Sequence, residues 1–316
     1  MPTITQLQYI LSLHRHGHFG EAARSCNVSQ PTLSMQIKKV EEQLGCTIFD
    51  RRGSPIVATE KGLLLIAQSQ KVLAAHEQLL GFARGQFEVL SGTLSLGIIP
   101  TLAPYVTHWF LSVFAKRYPG IHLSIVELPT EDIVRDLRKM RLDVGLLATP
   151  LEIPSMRERV LFYDPLYLYA GADEALLKQS DIDAEDLDPA RLWLLADGHC
   201  MRNQALEVCE LSASRAPQEN LLFEAGSLET LRHIIDSSGG YTIVPETFAR
   251  LLPRPSRVGQ VRPFRDPVPT REVSLLHLKR TWKVDLIDAL QGTIVEQLPR
   301  ALRKAPEVHK TISVGV

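Results

Sequence analysis

From Thr59 to about Leu90 the chain runs for about 30 residues without a proline, rich in Leu, Ala, Gln and Lys. A helix of that length spans roughly 45 Å, more than one small domain can cover. Leu65, Val72 and Leu79 recur at heptad-like intervals, less regularly joined by Ile66, Leu73, Leu80 and Phe87, so that one stripe is suited to a partner helix. The alternative, a long helix packed on its own domain, has little N-terminal chain available to cover it. The segment therefore divides the chain into an N-terminal unit at residues 1–58, a dimerising connector at 59–90 and a large unit at 91–316, in keeping with the two or so domains expected from 316 residues.

In residues 1–58 the periodicity predicts a helix over about Thr5 to Arg15, with an apolar stripe of Leu7, Ile10, Leu11 and Leu13, ended by Gly17. A second helix over about Phe19 to Cys26 offers the small face Ala22–Ala23. After the turn at Asn27–Val28, Ser29 is placed to cap a third helix, Pro31 sits in its first turn and Gly45 suits a left-handed end. Leu33, Ile37, Val40 and Leu44 face the core, leaving Gln30, Thr32, Ser34, Met35, Lys38 and Lys39 to other faces. Short polar groups early and lysines later suit a helix whose N-terminal end meets base edges while its cations meet phosphate. The electrostatic footprint is weak: Arg15, Arg24, Lys38, Lys39, Arg51 and Arg52 face Glu21, Glu41, Glu42, Asp50 and Glu60, a net of +1 over residues 1–60.

The run FGEAARSCNVSQPTLSMQIKKVEEQLGCTIFDR, Phe19 to Arg51, resembles the winged helix-turn-helix of the LysR-type transcriptional regulators along its whole length. The resemblance rests on Phe19, Ala22, Ala23, Ser29, Gln30, Pro31, Ser34, Ile37, Glu41, Leu44, Gly45, Phe49 and Arg51. It implies promoter double-stranded DNA as partner, with Ser29, Gln30, Pro31, Thr32, Ser34 and Lys38 on the reading helix. A wing at Arg51–Ser54, before Pro55, would carry Arg51 or Arg52 over the DNA backbone or minor groove. Cys26 and Cys46 read as core or surface residues.

Beyond Ser91 strands alternate with helices: strands at 93–99, 122–127, 142–148, 159–170, 191–196, 241–244 and 273–278, helices over about Pro104–Tyr118 and 130–140, the latter with Thr130 as its cap, and another bracketed by Ser227 and Gly239–Gly240. The alternation predicts α/β architecture with mainly parallel pairing, and chemistry at strand ends and helix starts. By resemblance to the family the domain is a two-lobed, periplasmic-binding-protein-like regulatory domain. One lobe takes 92–162 and 269–301, the other 163–268. No phosphate loop, HExxH, GxSxG or clustered metal ligand set occurs, so neither an enzymatic site nor a cofactor is expected. The first thirty residues lack a signal-peptide core and no apolar run reaches the length of a membrane helix, which predicts a cytoplasmic chain with no membrane partner. Four scattered cysteines do not make a secreted disulfide framework, so a disulfide here would be a signal.

The run DGHCMRNQALEVC, Asp197 to Cys209, sets two thiols nine positions apart. In a helix that step covers about 13 Å and leaves the sulfurs on opposite faces, so a bond between them requires unwinding. Read by itself, the pair is as well explained by two buried thiols packed as small hydrophobes. Cys200 stands just before the expected helix and two residues from Arg202, where a helix dipole and a cation favour a thiolate. His199 reads as a structural hydrogen-bonding residue. The run resembles the sensing segment of the peroxide-responsive LysR-type regulators. That resemblance implies that hydrogen peroxide oxidises Cys200, that Cys209 resolves it as an intramolecular disulfide, and that Thr101, Thr130, His199, Arg202 and Arg271 line the peroxide pocket. It also implies a homodimer assembling to a homotetramer, transcriptional activation of oxidative-stress genes, contact with RNA polymerase, and glutaredoxin or thioredoxin as reductant. Two positions depart from the pattern: Asn203 replaces an Asp, and Leu222 stands where a His is often found. Two other readings remain, a LysR-type regulator that binds a small organic effector and a thiol peroxidase.

Overall fold

The computed structural model describes residues 1–83, 90–209, 225–304 and 306–314. Helix α1 (Ile4–His16) starts in a reciprocal Thr3–Gln6 cap and stops at Gly17, whose left-handed φ of 69° a side chain would oppose. It packs on α2 (Phe19–Ser25) and α3 (Gln30–Leu44), burying Leu7, Ile10, Leu13, Ala22, Ala23, Leu33, Ile37 and Val40 in one cluster. Ser29 caps α3 by accepting from the Thr32 N–H. Strands β1 (Phe49–Asp50) and β2 (Val57–Ala58) pair antiparallel as the wing.

Helix α4 (Glu60–Ala83) begins against this unit: a Cβ on Gly62 would lie 2.1 Å from the Ile48 carbonyl oxygen, so only glycine allows the crossing. Ile66 is buried in the N-terminal cluster, with Leu65 and Leu73 packed on it, whereas Leu64, Val72 and Leu79 stay exposed. Phe87, part of the expected heptad stripe, lies outside the described residues.

The C-terminal part opens with β3 (Gly92–Ile98), α5 (Ala103–Arg117), β4 (Ile121–Glu127), α6 (Thr130–Arg138) and β5 (Val144–Thr149), in which β3 pairs parallel with both β4 and β5. Strand β6 (Met156–Ala170) then leads to the second lobe, with α7 (Cys200–Val208), α8 (Leu228–Ser238), β7 (Tyr241–Pro245), α9 (Glu246–Ala249), α10 (Arg254–Gln260) and β8 (Val261–Pro263). Strand β9 (Val268–Leu278) returns to the first lobe, followed by α11 (Val284–Gln297) and β10 (His309–Thr311).

Pairing is mixed rather than mainly parallel, because the two long strands β6 and β9 cross between lobes in opposite directions and dominate the sheet order β4-β3-β5-β9-β6-β7. Residues 191–196 are not a strand. They follow a 3-10 turn at Pro189–Arg191 and make only isolated bridges, Leu192 to Tyr241 and Leu195 to Ala225. Their apolar side chains are buried against the lobe without a ladder. Among the described residues, no helix is long and apolar enough to cross a membrane.

Candidate functional site

The antiparallel register of β6 on β9 sets Asp164 opposite Arg271 where the strands pass between lobes. Both side chains have 0% exposure. Arg271 donates from Nε (3.0 Å) and Nη2 (2.8 Å) to Asp164 Oδ2, from Nη2 to the Thr101 carbonyl (3.2 Å) and from Nη1 to Thr101 Oγ1 (3.3 Å). Thr247, at the start of α9, donates its N–H (3.0 Å) and hydroxyl (2.8 Å) to Asp164. The carboxylate thus neutralises and orients the guanidinium, and the guanidinium holds the turn after β3 that carries Thr101.

Cys200 is the first residue of α7, inside the helix, with His199 at the N-cap and making no side-chain cap bond. Its thiol is buried, and burial pushes its pKa above the usual thiol range. The Arg271 guanidinium pulls it down, aided by the Thr130 and Thr101 hydroxyls and the Met201 N–H. Burial thus works against a thiolate here, and the cation with the hydroxyl donors works for one. Thr130 is not the cap of α6, a place taken by Pro129. Its buried hydroxyl has no hydrogen-bond partner among the described residues.

Arg202 does not act on the thiol. Two residues along a helix is about 200° around it, and its guanidinium instead pairs with Asp197 (2.8 Å) and donates to the Leu195 carbonyl (3.1 Å). His199 is half-buried, with its pKa lowered by burial. Cys209 caps the far end of α7, and burial pushes its thiol up to about 12. Asn203 is exposed on α7, and Leu222 lies outside the described residues.

The structure thus brings together Cys200, Thr101, Thr130 and Arg271. It adds Asp164, Thr247 and Gln204, none of which stood out in the sequence. Gln204, one turn after Cys200, has 0% exposure, and neither amide atom hydrogen-bonds to a described residue. The legible signal for the buried pair was a single carboxylate, Asp164, inside the apolar run of β6, which demands a cation from a neighbouring strand. Chemically, the site presents a shielded thiol, hydroxyl donors and a fixed positive charge, suited to developing negative charge on a small leaving group.

In the N-terminal unit, Gln30, Pro31 and Lys38 are exposed, and Thr32 and Ser34 partly so. Lys38 lies 3.8 Å from Glu42 on the same helix. Arg51 is braced structurally, donating to Glu41 at 2.6 Å and lying over the Phe19 ring, while Arg52 is 91% exposed on the wing beside Asp50.

Residues 4–63 match the bacterial regulatory helix-turn-helix model of the lysR family, and residues 88–299 match the LysR substrate binding domain. The Escherichia coli K12 protein named DNA-binding transcriptional dual regulator OxyR is 34% identical over 96% of this chain and 99% of its own length. The chain belongs to the LysR family, within its OxyR group. It is a LysR-type transcriptional regulator with a winged helix-turn-helix and a two-lobed periplasmic-binding-protein-like domain. A full-length Cys-to-Asp variant of Pseudomonas aeruginosa OxyR is similar with a TM-score of 0.71 at 34% identity, covering 93% of this chain and 98% of that one. A Cys-to-Ser variant of Corynebacterium glutamicum OxyR with hydrogen peroxide bound gives a TM-score of 0.60 at 27% identity, covering 94% and 92%.

Proposed function

We propose that the chain senses hydrogen peroxide through Cys200 and Cys209 and reports it to promoter DNA. The observation that carries this reading is the convergence of Arg271, Thr101 and Thr130 on a buried thiol at one end of a helix that holds a second thiol at its other end. The peroxide bound to the C. glutamicum relative supports it.

In the first step the Cys200 thiolate attacks one peroxide oxygen. An S–O bond forms, the O–O bond breaks, sulfur loses two electrons, and the departing hydroxide takes up the proton released by the thiol to leave as water. Arg271 and the two hydroxyls stabilise the charge as it shifts, and the Gln204 amide, which hydrogen-bonds to no described residue, hydrogen-bonds the peroxide. In the second step the Cys209 thiolate attacks the sulfenic sulfur: the S–S bond forms, the S–O bond breaks and a second water leaves. With about 13 Å of helix between them, the sulfurs meet only if α7 unwinds. Closing this short loop shifts conformational balance by about 2 to 3 kcal/mol in the chain-entropy model, enough to change the favoured packing of a bistable segment.

Residues 1–58 read DNA through α3, with Arg52 as the wing's phosphate contact, and the exposed Leu64, Val72 and Leu79 on α4 form the seam between two copies. Repacking of the lobes, 92–162 with 269–301 and 163–268, re-spaces the paired reading heads in a homotetramer and activates transcription with RNA polymerase in the cytoplasm. A thiol reductant such as glutaredoxin or thioredoxin resets the switch. His199 and Arg202 act at the margin of the pocket by ordering the turn before α7.

The test is peroxide titration of the reduced protein with disulfide mapping. A Cys200–Cys209 bridge at low stoichiometry, with sulfenic acid trapped in Cys209→Ser, is expected. A Cys200 that stays reduced until peroxide is in large excess would sink the reading.

A further inference from the structure

The outward face of α3 carries one residue that a merely solvated helix does not need. Taking about 100° per residue, Leu33, Ile37 and Val40 share one direction and Met35 points roughly 165° away from it, along the line farthest from the core. Met35 is 61% exposed and stands outside the apolar cluster of the N-terminal unit. Its neighbours on that line are Pro31 one turn earlier and Lys38 and Lys39 one turn later, all exposed. A long apolar side chain thus sits at the centre of a polar, cation-flanked face, on the helix that in our reading enters the major groove. Scattered surface hydrophobics are ordinary, but this one lies midway between the polar start of α3 and its lysines, where base edges and not phosphates face the protein.

We infer that Met35 is a specificity-determining residue that packs its thioether methyl on the C5-methyl group of a thymine. In the major groove thymine alone of the four bases presents a methyl, and apolar side chains select it by contact. Met has no donor or acceptor strong enough to read the hydrogen-bonding edges of the other bases, and its flexible stem adapts to the methyl's position. The polar groups Gln30 and Ser34 are left to read neighbouring edges, and Lys38 and Lys39 to bind phosphate. The inference rests on the DNA-reading role of α3 and names the chemistry that role selects.

The test begins by selecting bound duplexes from a random-sequence pool with the reduced full-length protein. Each thymine of the enriched site is then replaced singly by deoxyuridine, which lacks only the methyl, and affinity is measured by fluorescence anisotropy at fixed salt. One position per half-site is expected to cost about four-fold, and both together about fifteen-fold, the worth of one buried methyl each. In Met35→Ala that same position becomes insensitive to deoxyuridine, and in Met35→Leu it stays sensitive. Lys38→Ala weakens all probes alike and flattens the salt dependence. Wild-type protein indifferent to every deoxyuridine, or Met35→Ala as sensitive as wild type, overturns the assignment while leaving DNA reading intact. Failure to enrich any sequence overturns the DNA-reading role of α3 and the assignment with it.

Discussion

Replacing Arg271 with Met removes the cation from a fully buried pair and leaves Asp164 behind. The carboxylate keeps the Thr247 N–H and hydroxyl but loses two charge-assisted bonds at 3.0 and 2.8 Å. Breaking a buried pair from one side costs about 3 to 5 kcal/mol, a large part of a stability of about 5 to 15 kcal/mol. The predicted order follows. Arg271→Met destabilises by about 4 kcal/mol, whereas Arg271→Met with Asp164→Asn recovers about half of that, since the neutral amide still accepts from Thr247 and no charge is stranded. Urea unfolding of the reduced proteins at pH 7, followed by tryptophan fluorescence, measures both. The same single variant slows alkylation of Cys200 at fixed pH, because the opposing pull on a thiol already raised by burial is gone. A single-variant cost under about 1 kcal/mol together with unchanged alkylation would refute the claim that this pair organises the site.

Three further outcomes are expected. Burial pushes the Cys200 thiol up, so its oxidation rate is expected to climb about ten-fold per unit from about pH 6 to 8.5 as thiolate is gained; stopped-flow oxidation that reaches a plateau below pH 7 contradicts this. The last turn of α7 is held by Glu207, which accepts from the Ser313 N–H (3.0 Å) and hydroxyl (2.8 Å). Glu207→Ala therefore speeds disulfide closure about five-fold, for about 1 kcal/mol of lost tethering, without changing the sulfenic step, and quenched-flow mapping separates the two. Gly62→Ala drives a Cβ against the Ile48 carbonyl and costs about 3 kcal/mol or more by overpacking, read as a lower Tm together with weaker DNA binding; an unchanged Tm would show that α4 shifts freely.

What was legible in the sequence was local. Ser29, Pro31 and Gly45 mark both ends of α3 because capping is decided within a few residues, and the structure uses all three. The run at 191–196 reads as a strand yet makes only isolated bridges, because a short apolar stretch looks the same whether it joins a ladder or merely packs on one. Nearness along the chain points to Arg202 as the cation beside the thiol, but the helix turns it away, and the cation that acts on Cys200 comes from a strand 71 residues further on. Nothing local announces that partner. Only the register of β6 on β9 does, and register is a property of the folded sheet.

The two thiols are kept apart by chemistry as well as by distance. Cys209, pushed up to about 12 by burial, has about a thousandth of the thiolate fraction of an ordinary cysteine at neutral pH, so in the intact helix it is both out of reach and unreactive. Unwinding α7 removes both obstacles at once, since the motion that brings the sulfur near also exposes it to water and returns its pKa towards the usual thiol range. In the proposed mechanism the helix therefore acts as the gate between the two steps. Loss of a proton favours the unwound state at high pH, because a group whose pKa is raised in the folded state stabilises that state below its unfolded pKa and ceases to as pH rises through the folded value. Disulfide closure should accordingly climb with pH no more steeply than sulfenic acid formation does, one proton being lost in each step, and in the proposed mechanism the shape of α7, more than the reactivity of either sulfur, sets how long the sulfenic intermediate lasts.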